Sequence, residues 1–224
     1  MHITAIVVAA GRGIRFGSDK SKLLSKIDFK PVIAYSLDVF NRHPAVTDII
    51  VVVNSANIDG IRAQIKKYKI KKAREIVRGG ARRQDSVYNA LKKLDKRAEL
   101  VIVHDAARPF ISKELVSRAI KQALKSGAAI VGVPVKATVK EASGYIVKRT
   151  LNRDNLWEIQ TPQVFKKNII LEAYKRFRNQ DVTDDASLIE RLGRKVYLVQ
   201  GSYANIKITT PEDLSIAKVL EGVR

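Results

Sequence analysis

Glycines and cations are interleaved in the first loop of this chain, directly after a short apolar run. The run spans Ile3 to Ala10 and ends at Gly11 and Gly13, with a further glycine at Gly17. Glycine lets a ligand approach the main chain closely, and exposed backbone N–H groups combined with positive charge suit a phosphate chain. For this stretch alone, a glycine-rich turn carrying solvated lysines is the alternative interpretation. The basic residues of the segment are Arg12, Arg15, Lys20 and Lys22.

Two better-known phosphate loops do not fit this segment. The dinucleotide-binding fingerprint requires a third glycine where this chain has Phe16, and an acidic residue after the second strand, where it has Asn54 and Ser55. The P-loop requires Gly-Lys-Ser/Thr, whereas Gly17 is followed by Ser18. A phosphate site here is therefore of another kind.

Two later segments carry similar chemistry. Gly79-Gly80 precedes a predicted helix and supplies backbone amides, together with Arg83 and the hydroxyl of Ser86. The segment His104 to Pro109 places the Asp105 carboxylate at a strand end, where it can meet a metal ion or a substrate hydroxyl. A plain turn residue is the alternative for Asp105. We interpret His104 as structural, because no serine or cysteine nucleophile motif accompanies it.

The elements that must position these groups alternate between strands and helices. Such alternation predicts parallel strands with right-handed crossovers and ligands bound beyond the carboxyl ends of the strands. The loop after Ala10, the Gly79-Gly80 turn and Asp105 should therefore meet at one edge of the sheet. Strands are predicted at 3–10, 48–53, 73–77, 100–103, 128–135 and 195–199, and helices at 31–40, 58–68, 84–94, 113–126, 166–177, 185–192 and from Pro211.

One segment departs from this pattern. Between Lys136 and Asn155 we predict two short strands, 138–140 and 145–147, around a turn at 142–144. A lone hairpin is barely stable in water, so we expect this arm to pack on something, such as a second subunit. The sequence thus predicts one α/β domain, residues 1–224, with 136–155 as a β-arm excursion. Trp157 and Gln163 are interpreted as packing residues.

Composition narrows the function classes. The 224 residues are 46% hydrophobic, enough for a core, and include no cysteine, which is consistent with the cytosol. We expect no membrane span and no signal peptide. The net charge of +20 favours anionic partners, although a solvated lysine-rich surface accounts for runs such as Lys66 to Lys72.

The ordered set of motifs resembles the 2-C-methyl-D-erythritol 4-phosphate cytidylyltransferase family, whose members make the cytidine diphosphate intermediate of the non-mevalonate isoprenoid pathway. The resemblance runs nearly end to end. It implies a Rossmann-like, mostly parallel sheet flanked by helices, with a protruding β-arm for dimerisation. The motifs are Ala9-Ala10-Gly11-x-Gly13-x-Arg15, Lys22, Gly79-Gly80-x-x-Arg83-x-x-Ser86-Val87, His104 to Pro109, Pro134-Val135-x-x-Thr138-x-Lys140, Arg153-x-x-Leu156-Trp157, Gln160-Thr161-Pro162-Gln163, Thr183 to Ser187 and Asn205 to Thr209.

The resemblance also implies roles for individual residues. Arg15 and Lys22 would bind the triphosphate of CTP, and Asp105 would lie beside Mg²⁺ and the methylerythritol, with Arg108 and Lys207 nearby. The substrate phosphate would be bound by arm-region residues of the other subunit of a homodimer, namely Thr138, Arg153 and Thr183. The nucleotide would be held by Gly11, Gly13, Gly80 and Ser86, with the cytosine read near Ala9, Ala10 and Gly79.

The chemistry of cytidylyl transfer agrees with the roles that the resemblance implies. A phosphate monoester is mostly a dianion at neutral pH and already a nucleophile, so no general base is required. Cations and Mg²⁺ must screen two anionic reactants and stabilise the departing pyrophosphate; the implied charge-stabilising set is Arg15, Lys22, Arg153 and Lys207.

Three residues depart from the pattern of the family, and two other functions compete with the one that the resemblance implies. Ser21, Ala81 and Ala137 differ from residues common in the family; the first bears on the rigidity of the loop and on a base contact, the second on a ribose contact, and the third replaces a common aspartate. A cytidylyltransferase for ribitol 5-phosphate is the nearest rival. A basic nucleic-acid-binding protein is the remote one, suggested by charge alone and disfavoured by the scarcity of aromatic residues.

Overall fold

A computed structural model describes residues 1–11, 13, 16–17 and 21–223. The strands of this part of the chain are β1 (His2–Ala9), β2 (Lys26–Ile27), β3 (Lys30–Pro31), β4 (Asp48–Val53), β5 (Ala73–Arg78), β6 (Ala98–Asp105), β7 (Ala128–Pro134), β8 (Lys140–Ser143), β9 (Ile146–Thr150), β10 (Trp157–Lys166) and β11 (Tyr197–Gln200). The helices are α1 (Val32–Arg42), α2 (Ile58–Lys67), α3 (Arg83–Leu91), α4 (Lys113–Ser126), α5 (Lys167–Phe177), α6 (Ala186–Arg191) and α7 (Pro211–Gly222).

Seven strands form one central sheet in the order β11-β7-β10-β6-β1-β4-β5. All neighbouring pairs are parallel except those of β10, which runs antiparallel to both β6 and β7. The predicted mostly parallel α/β sheet is therefore confirmed. Parallel strands place their carboxyl ends at a common edge, and this edge receives the first loop, the Gly79-Gly80 turn and Asp105.

The sheet is covered on both faces. Ile3, Ala5 and Val7 of β1 pack into one apolar cluster, whereas Ile6 packs into the cluster on the other side. A strand buried on both faces needs apolar residues at every position rather than at alternate ones. This requirement explains why β1 is apolar at every position after His2 except Thr4.

The start of α7 and both ends of α4 were predicted accurately, because local sequence signals set them. Helix α4 begins and ends at the predicted residues, because the Ser112 hydroxyl accepts a hydrogen bond from the Leu115 amide and Gly127 takes a left-handed conformation (φ 88°) after the last turn. A side-chain cap of this kind contributes about 1 kcal/mol. Helix α7 begins at Pro211, as predicted, after a capping box formed by Thr210 and Asp213.

Strand β10 was not predicted, and this is the largest error of the sequence analysis. Its middle contains Gln160, Thr161 and Gln163, so it shows neither an apolar run nor an alternating pattern. These polar side chains are nevertheless buried, because each is hydrogen-bonded within the fold. Pro162 lies where the pairing with β7 changes register, as expected for a residue that cannot donate to the ladder.

The predicted hairpin forms a separate two-stranded sheet, β8 with β9, but its turn was misplaced. Residues 142–143, predicted as turn, belong to β8, and the two-residue turn is Gly144-Tyr145. Gly144 has a φ of 57°, which glycine adopts at low cost and which suits the first position of a tight hairpin turn. Every residue of β9 is exposed.

No helix in the described ranges is both long and apolar enough to pass through a lipid bilayer.

Candidate active site

Two cavities meet at the carboxyl edge of the sheet. The first, named here the loop cavity, has a volume of about 540 Å³ and lies among the loop after β1, the end of β4 and the Gly79-Gly80 turn. The second, the β10 cavity, has a volume of about 640 Å³ and lies along β10 toward α6. Both volumes suit small-molecule ligands. Among the described residues, three line both cavities: Arg83, Asp105 and Lys207.

The loop cavity gathers all of the residues predicted to bind a nucleotide. They come from two separate segments, and Asp105 from a third segment lines the same cavity, so the predicted convergence holds in the structure. The residues are Ala9, Ala10, Gly11, Gly13, Gly79, Gly80 and Ser86.

Close packing explains the glycine at position 79. A Cβ built on Gly79 would lie 2.4 Å from the Ala10 Cβ and 2.8 Å from the Ser86 Oγ. The Gly80 amide donates to that Oγ at 3.0 Å, and the Ser86 hydroxyl donates to the Arg82 carbonyl at 3.1 Å. The Ser86 hydroxyl therefore shapes the turn directly.

Two asparagines after β4 fix the end of β1, a role that the sequence analysis missed. The Asn57 Nδ2 donates to the Ala9 carbonyl at 2.9 Å, and the Asn54 Nδ2 donates to the Ala10 carbonyl at 3.3 Å. Asn57 is buried. The position of Asn54 in place of an acidic residue was noted in the sequence, but its contact with the first loop is visible only in the fold.

Lys22 lines the loop cavity. A Cβ on Gly13 would lie 3.9 Å from both the Cγ and the Cδ of Lys22, so the lysine stem runs beside that glycine, whose φ is 66°. The other predicted triphosphate ligand, Arg15, lies outside the described residues.

Asp105 lies between two cations in the wall shared by the cavities. Its Oδ1 is 3.3 Å from the Arg83 Nε, and its Oδ2 is 2.7 Å from the Lys207 Nζ. Burial alone would raise the pKa of the Asp105 carboxyl, but Arg83 and then Lys207 outweigh that effect and hold the pKa well below its usual range. Asp105 is therefore ionised across the whole physiological pH range.

Arg83 continues this charge network into the protein. Its Nη1 donates to the Asp185 Oδ2 at 2.7 Å, and the Tyr174 hydroxyl donates to the other oxygen of Asp185. Burial alone would lower the pKa of Arg83, but Asp185 and Asp105 outweigh it and raise the pKa. Arg83 was expected among the ligand-binding groups of the Gly79-Gly80 segment, whereas its contacts with Asp105 and Asp185 and the part of Tyr174 were not predicted.

His104 has a structural place, in line with its interpretation from the sequence. The His104 Nε2 lies 3.1 Å from the Arg108 carbonyl, which can only accept, so Nε2 carries the hydrogen of the neutral ring and donates. The His104 Nδ1 therefore accepts from the Thr161 hydroxyl, and the Thr161 Oγ1 accepts from the Asp105 amide at 3.0 Å. Burial lowers the pKa of His104 to about 4, against the opposing effects of Asp105 and of the Arg108 carbonyl. The neutral ring thus braces the turn that carries Asp105.

Arg108 lines the β10 cavity and is almost fully buried. Its Nη1 donates to the Asn205 carbonyl at 2.7 Å, and burial lowers its pKa although Asp105 and Glu158 oppose that effect. A buried guanidinium held by neutral carbonyls retains charge that an anionic ligand can neutralise.

The three residues predicted to bind the substrate phosphate lie in different places in the structure. Thr183 lies in the β10 cavity of its own chain, with Asp105 and Arg108 in the same lining. The expectation that Thr183 would come from the partner's arm region is therefore wrong, because the segment before α6 folds against β10. Thr138 and Arg153 are exposed and line neither cavity, and the Arg153 Nη1 donates to the Lys136 carbonyl.

The donor set suits Mg²⁺ only in company with substrate phosphates. Among the described residues, no group of three or more His, Cys, Asp or Glu side chains is arranged to hold a metal ion. Asp105 is the one carboxylate among the described residues that line the loop cavity. Mg²⁺ in nucleotide enzymes is usually held by one or two carboxylates together with phosphate oxygens and water, and Asp105 fits that pattern.

The fold and the site together are those of an α/β group-transfer enzyme, with two neighbouring cavities that suit anionic ligands. A loop that suits a phosphate chain lies in one cavity, a buried arginine lies in the other, and a charged wall joins them.

The chain belongs to the 2-C-methyl-D-erythritol 4-phosphate cytidylyltransferase family, whose model matches residues 3–221. A relative of that name from Alkaliphilus metalliredigens (strain QYMF) is 45% identical, over 96% of this chain and 91% of its own length. One from Clostridium botulinum (strain 657 / Type Ba4) is 43% identical, over 96% and 95%. The crystal structure of 4-diphosphocytidyl-2C-methyl-D-erythritol synthase from Anaerococcus prevotii DSM 20548 superposes with a TM-score of 0.85 at 36% identity, over 98% of this chain and 96% of its own.

Proposed function

We infer that this protein transfers a cytidylyl group from CTP to 2-C-methyl-D-erythritol 4-phosphate. The products are pyrophosphate and 4-diphosphocytidyl-2-C-methyl-D-erythritol, an intermediate of the non-mevalonate route to isoprenoid precursors. Family membership over nearly the whole chain supports this activity. The observation that carries it in the structure is the wall of Arg83, Asp105 and Lys207 between two ligand-sized cavities.

The reaction needs an in-line displacement at the α-phosphorus of CTP. An oxygen of the acceptor phosphate forms the new bond to that phosphorus, and the bond to the bridging oxygen of the β-phosphate breaks, so pyrophosphate leaves with the electron pair. Because the acceptor is already a dianion at neutral pH, no side chain needs to remove a proton. The reacting centre then lies where the two cavities adjoin.

The protein contributes to catalysis by electrostatic stabilisation of the reacting phosphates. Lys207 reaches both cavities, and Lys22 lines the loop cavity, so one cation faces the junction and another faces the phosphate chain. Fixed cations of this kind lower the barrier because they are already oriented when charge develops on the leaving group. We propose that Arg15 contributes to the same charge stabilisation.

We propose that Mg²⁺ enters with the nucleotide. When bound, it would neutralise charge on the triphosphate, and Asp105 is the described residue that would contact it. Asp105 meanwhile holds the Lys207 ammonium at 2.7 Å, which keeps that cation in the shared wall.

We also propose that the active enzyme is a homodimer in the cytosol. The exposed hairpin presents Tyr145, Ile146 and Val147 to solvent, an apolar tip that a second copy of the chain would cover. Thr138 and Arg153 would then reach the β10 cavity of the partner. The cysteine-free sequence is in keeping with a reducing compartment.

A pyrophosphate-release assay tests the activity. CTP and Mg²⁺ are supplied with 2-C-methyl-D-erythritol 4-phosphate, ribitol 5-phosphate or erythritol 4-phosphate, and ATP, UTP and GTP serve as donor controls. We expect the highest kcat/KM with CTP and methylerythritol phosphate. A higher value with ribitol 5-phosphate would reassign the acceptor. Salt-sensitive binding to DNA or RNA without any pyrophosphate release would overturn the enzyme assignment.

A further inference from the structure

A buried carboxylate and a buried phenol lie directly behind the wall that the two cavities share. Asp185, which precedes α6, is 1% exposed, and Tyr174, on α5, is 0% exposed. The Tyr174 hydroxyl donates to one oxygen of Asp185, and the Arg83 Nη1 donates to the other at 2.7 Å. Both carboxylate oxygens are thus engaged, and one of their partners, Arg83, reaches the ligand cavities.

The backbone of Asp185 is fixed from the central sheet. The amides of Asp185 and Ala186 donate to the Gln163 Oε1 at 3.2 and 3.3 Å. Gln163 belongs to β10 and is 1% exposed. The carboxylate therefore has a defined position before it contacts Arg83.

Arg83 is bound more closely on its inner side than on its outer side. Its contact with Asp185 is 2.7 Å, whereas its contact with Asp105 is 3.3 Å. An arginine side chain has several rotatable bonds, and ordering it costs conformational entropy. A buried anchor that engages one end of the guanidinium removes that freedom before any ligand binds.

Stability alone is a weak explanation for this pair. Buried ion pairs often contribute little to folding, because the cost of desolvation offsets the attraction, and apolar replacements of similar volume are frequently tolerated. A pair whose inner carboxylate is fully buried and whose outer cation lies between two ligand cavities is better explained by the placement of that cation.

We propose that Asp185 and Tyr174 are positioning residues that hold Arg83, and through it Asp105, in the geometry needed for transfer between the two cavities. This inference rests on the proposed function. It concerns residues that do not themselves line either cavity.

The test compares Asp185→Asn with a matched control. Asp48 is also a buried carboxylate paired with an arginine, Arg74, at 2.9 Å, but it lies at the first residue of β4, at the amino edge of the sheet. Both variants should lower the melting temperature. At a temperature where circular dichroism shows every variant folded, Asp185→Asn should lower kcat by about tenfold or more, while Asp48→Asn should leave kcat and both KM values unchanged.

A double-mutant cycle then asks whether Asp185 acts through Arg83. The loss of kcat caused by Asp185→Asn should disappear in an Arg83→Gln background, because the group being positioned is already gone. An equal loss in both backgrounds would overturn the proposal. So would an equal fall in kcat for Asp48→Asn and Asp185→Asn.

Tyr174→Phe decides the matter if Arg83→Gln does not fold. It keeps the charge of Asp185 and removes one hydrogen bond, so we expect kcat to fall a few-fold. Unchanged kcat in both Tyr174→Phe and Asp185→Asn would reject a positioning role. If the wild-type protein itself released no pyrophosphate, the proposed function would fail separately, and the same variants would be compared by their Kd for CTP.

Discussion

The Asp105 carboxylate and the Lys207 ammonium are 2.7 Å apart, on the wall that both cavities share. Asp105 ends β6, and Lys207 lies in the segment between β11 and α7, so the fold brings distant parts of the chain to one point. Because Arg83 contacts the other oxygen of Asp105, this wall alternates in charge. An incoming phosphate would therefore meet cations already held in place by a carboxylate.

Lys22→Ala tests the contribution of the first loop. Loss of one preorganised cation that faces developing phosphate charge should lower kcat by on the order of 10²-fold or more. The fold should persist, because Lys22 is only partly buried. Lys66→Ala, on the exposed surface of α2, removes the same charge elsewhere and should leave kcat unchanged; near-normal turnover in Lys22→Ala would contradict the electrostatic role.

Gly79→Ala tests the packing beneath the loop cavity. Because the new methyl group would lie 2.4 Å from the Ala10 Cβ, the turn must shift, and the free energy of unfolding should fall by about 1–3 kcal/mol. Gly11→Ala is the comparison, since its Cβ would meet no atom of the described residues within 4 Å. It should leave the melting temperature nearly unchanged. If the nucleotide approaches the backbone at Gly11, the added methyl group should raise the Kd for CTP. An equal loss of stability in both variants would argue against the packing explanation.

The activity should depend on the ionisation of the substrate rather than of the enzyme. If the phosphate dianion is the nucleophile, kcat/KM should fall as the pH drops below about 6, where the monoanion takes over. Neither candidate enzyme group titrates there, since Asp105 stays ionised and the pKa of His104 is about 4. A phosphonate analogue with a different pKa should move the acid limb, and a limb that did not move would indicate an enzyme group.

Stability should show a separate pH dependence that arises from His104. Burial lowers its folded-state pKa from 6.5 to about 4, so the unfolded chain binds a proton more readily within that window. Stability is therefore complete above pH 6.5 and declines as the pH falls toward 4, by about 3 kcal/mol for this residue. His43, whose pKa burial also lowers, contributes in the same direction. Urea unfolding at pH 7 and pH 4.5 should show a smaller difference in His104→Asn than in the wild type; an equal difference would exclude His104 as the source.

Much of the fold and part of the site could be predicted from local patterns in the sequence. The apolar run of β1 and the Ser112 and Gly127 ends of α4 depend on neighbouring residues, so they could be read directly. The convergence of Gly11, Gly79 and Asp105 followed from the rule that parallel strands share a carboxyl edge.

The contacts that escaped prediction depend on residues far apart in the chain. Strand β10 is polar at its centre, and its burial makes sense only once Gln163 is seen to bind the backbone before α6. The Arg83–Asp185 pair likewise joins α3 to the start of α6. No spacing rule connects such positions. The assignment of Thr183 to the partner subunit came from the family resemblance, and its place in the β10 cavity of its own chain is visible only in the fold.

The last prediction is that each active site is built from two chains. Arg153 is exposed and lines neither cavity of its own chain, although the family resemblance assigns it to the substrate phosphate. In a symmetric dimer the hairpin would reach the partner's β10 cavity. Lys22→Ala damages the core half of a site and Arg153→Ala the arm half, so a mixed dimer has one site with both lesions and one with none. Random reassortment makes half of the dimers mixed, and about a quarter of all sites should recover.

The experiment is to unfold, mix and refold the two inactive variants and then to measure pyrophosphate release. A mixture of Lys22→Ala with Lys207→Ala is the control, because both changes lie in the core half and no fully intact pairing of core and arm can arise. Differently tagged chains, purified in sequence, establish that mixed dimers have formed. If such dimers stayed inactive in the first mixture, Arg153 would belong to the site of its own chain, and the exposed hairpin would serve dimer contact alone.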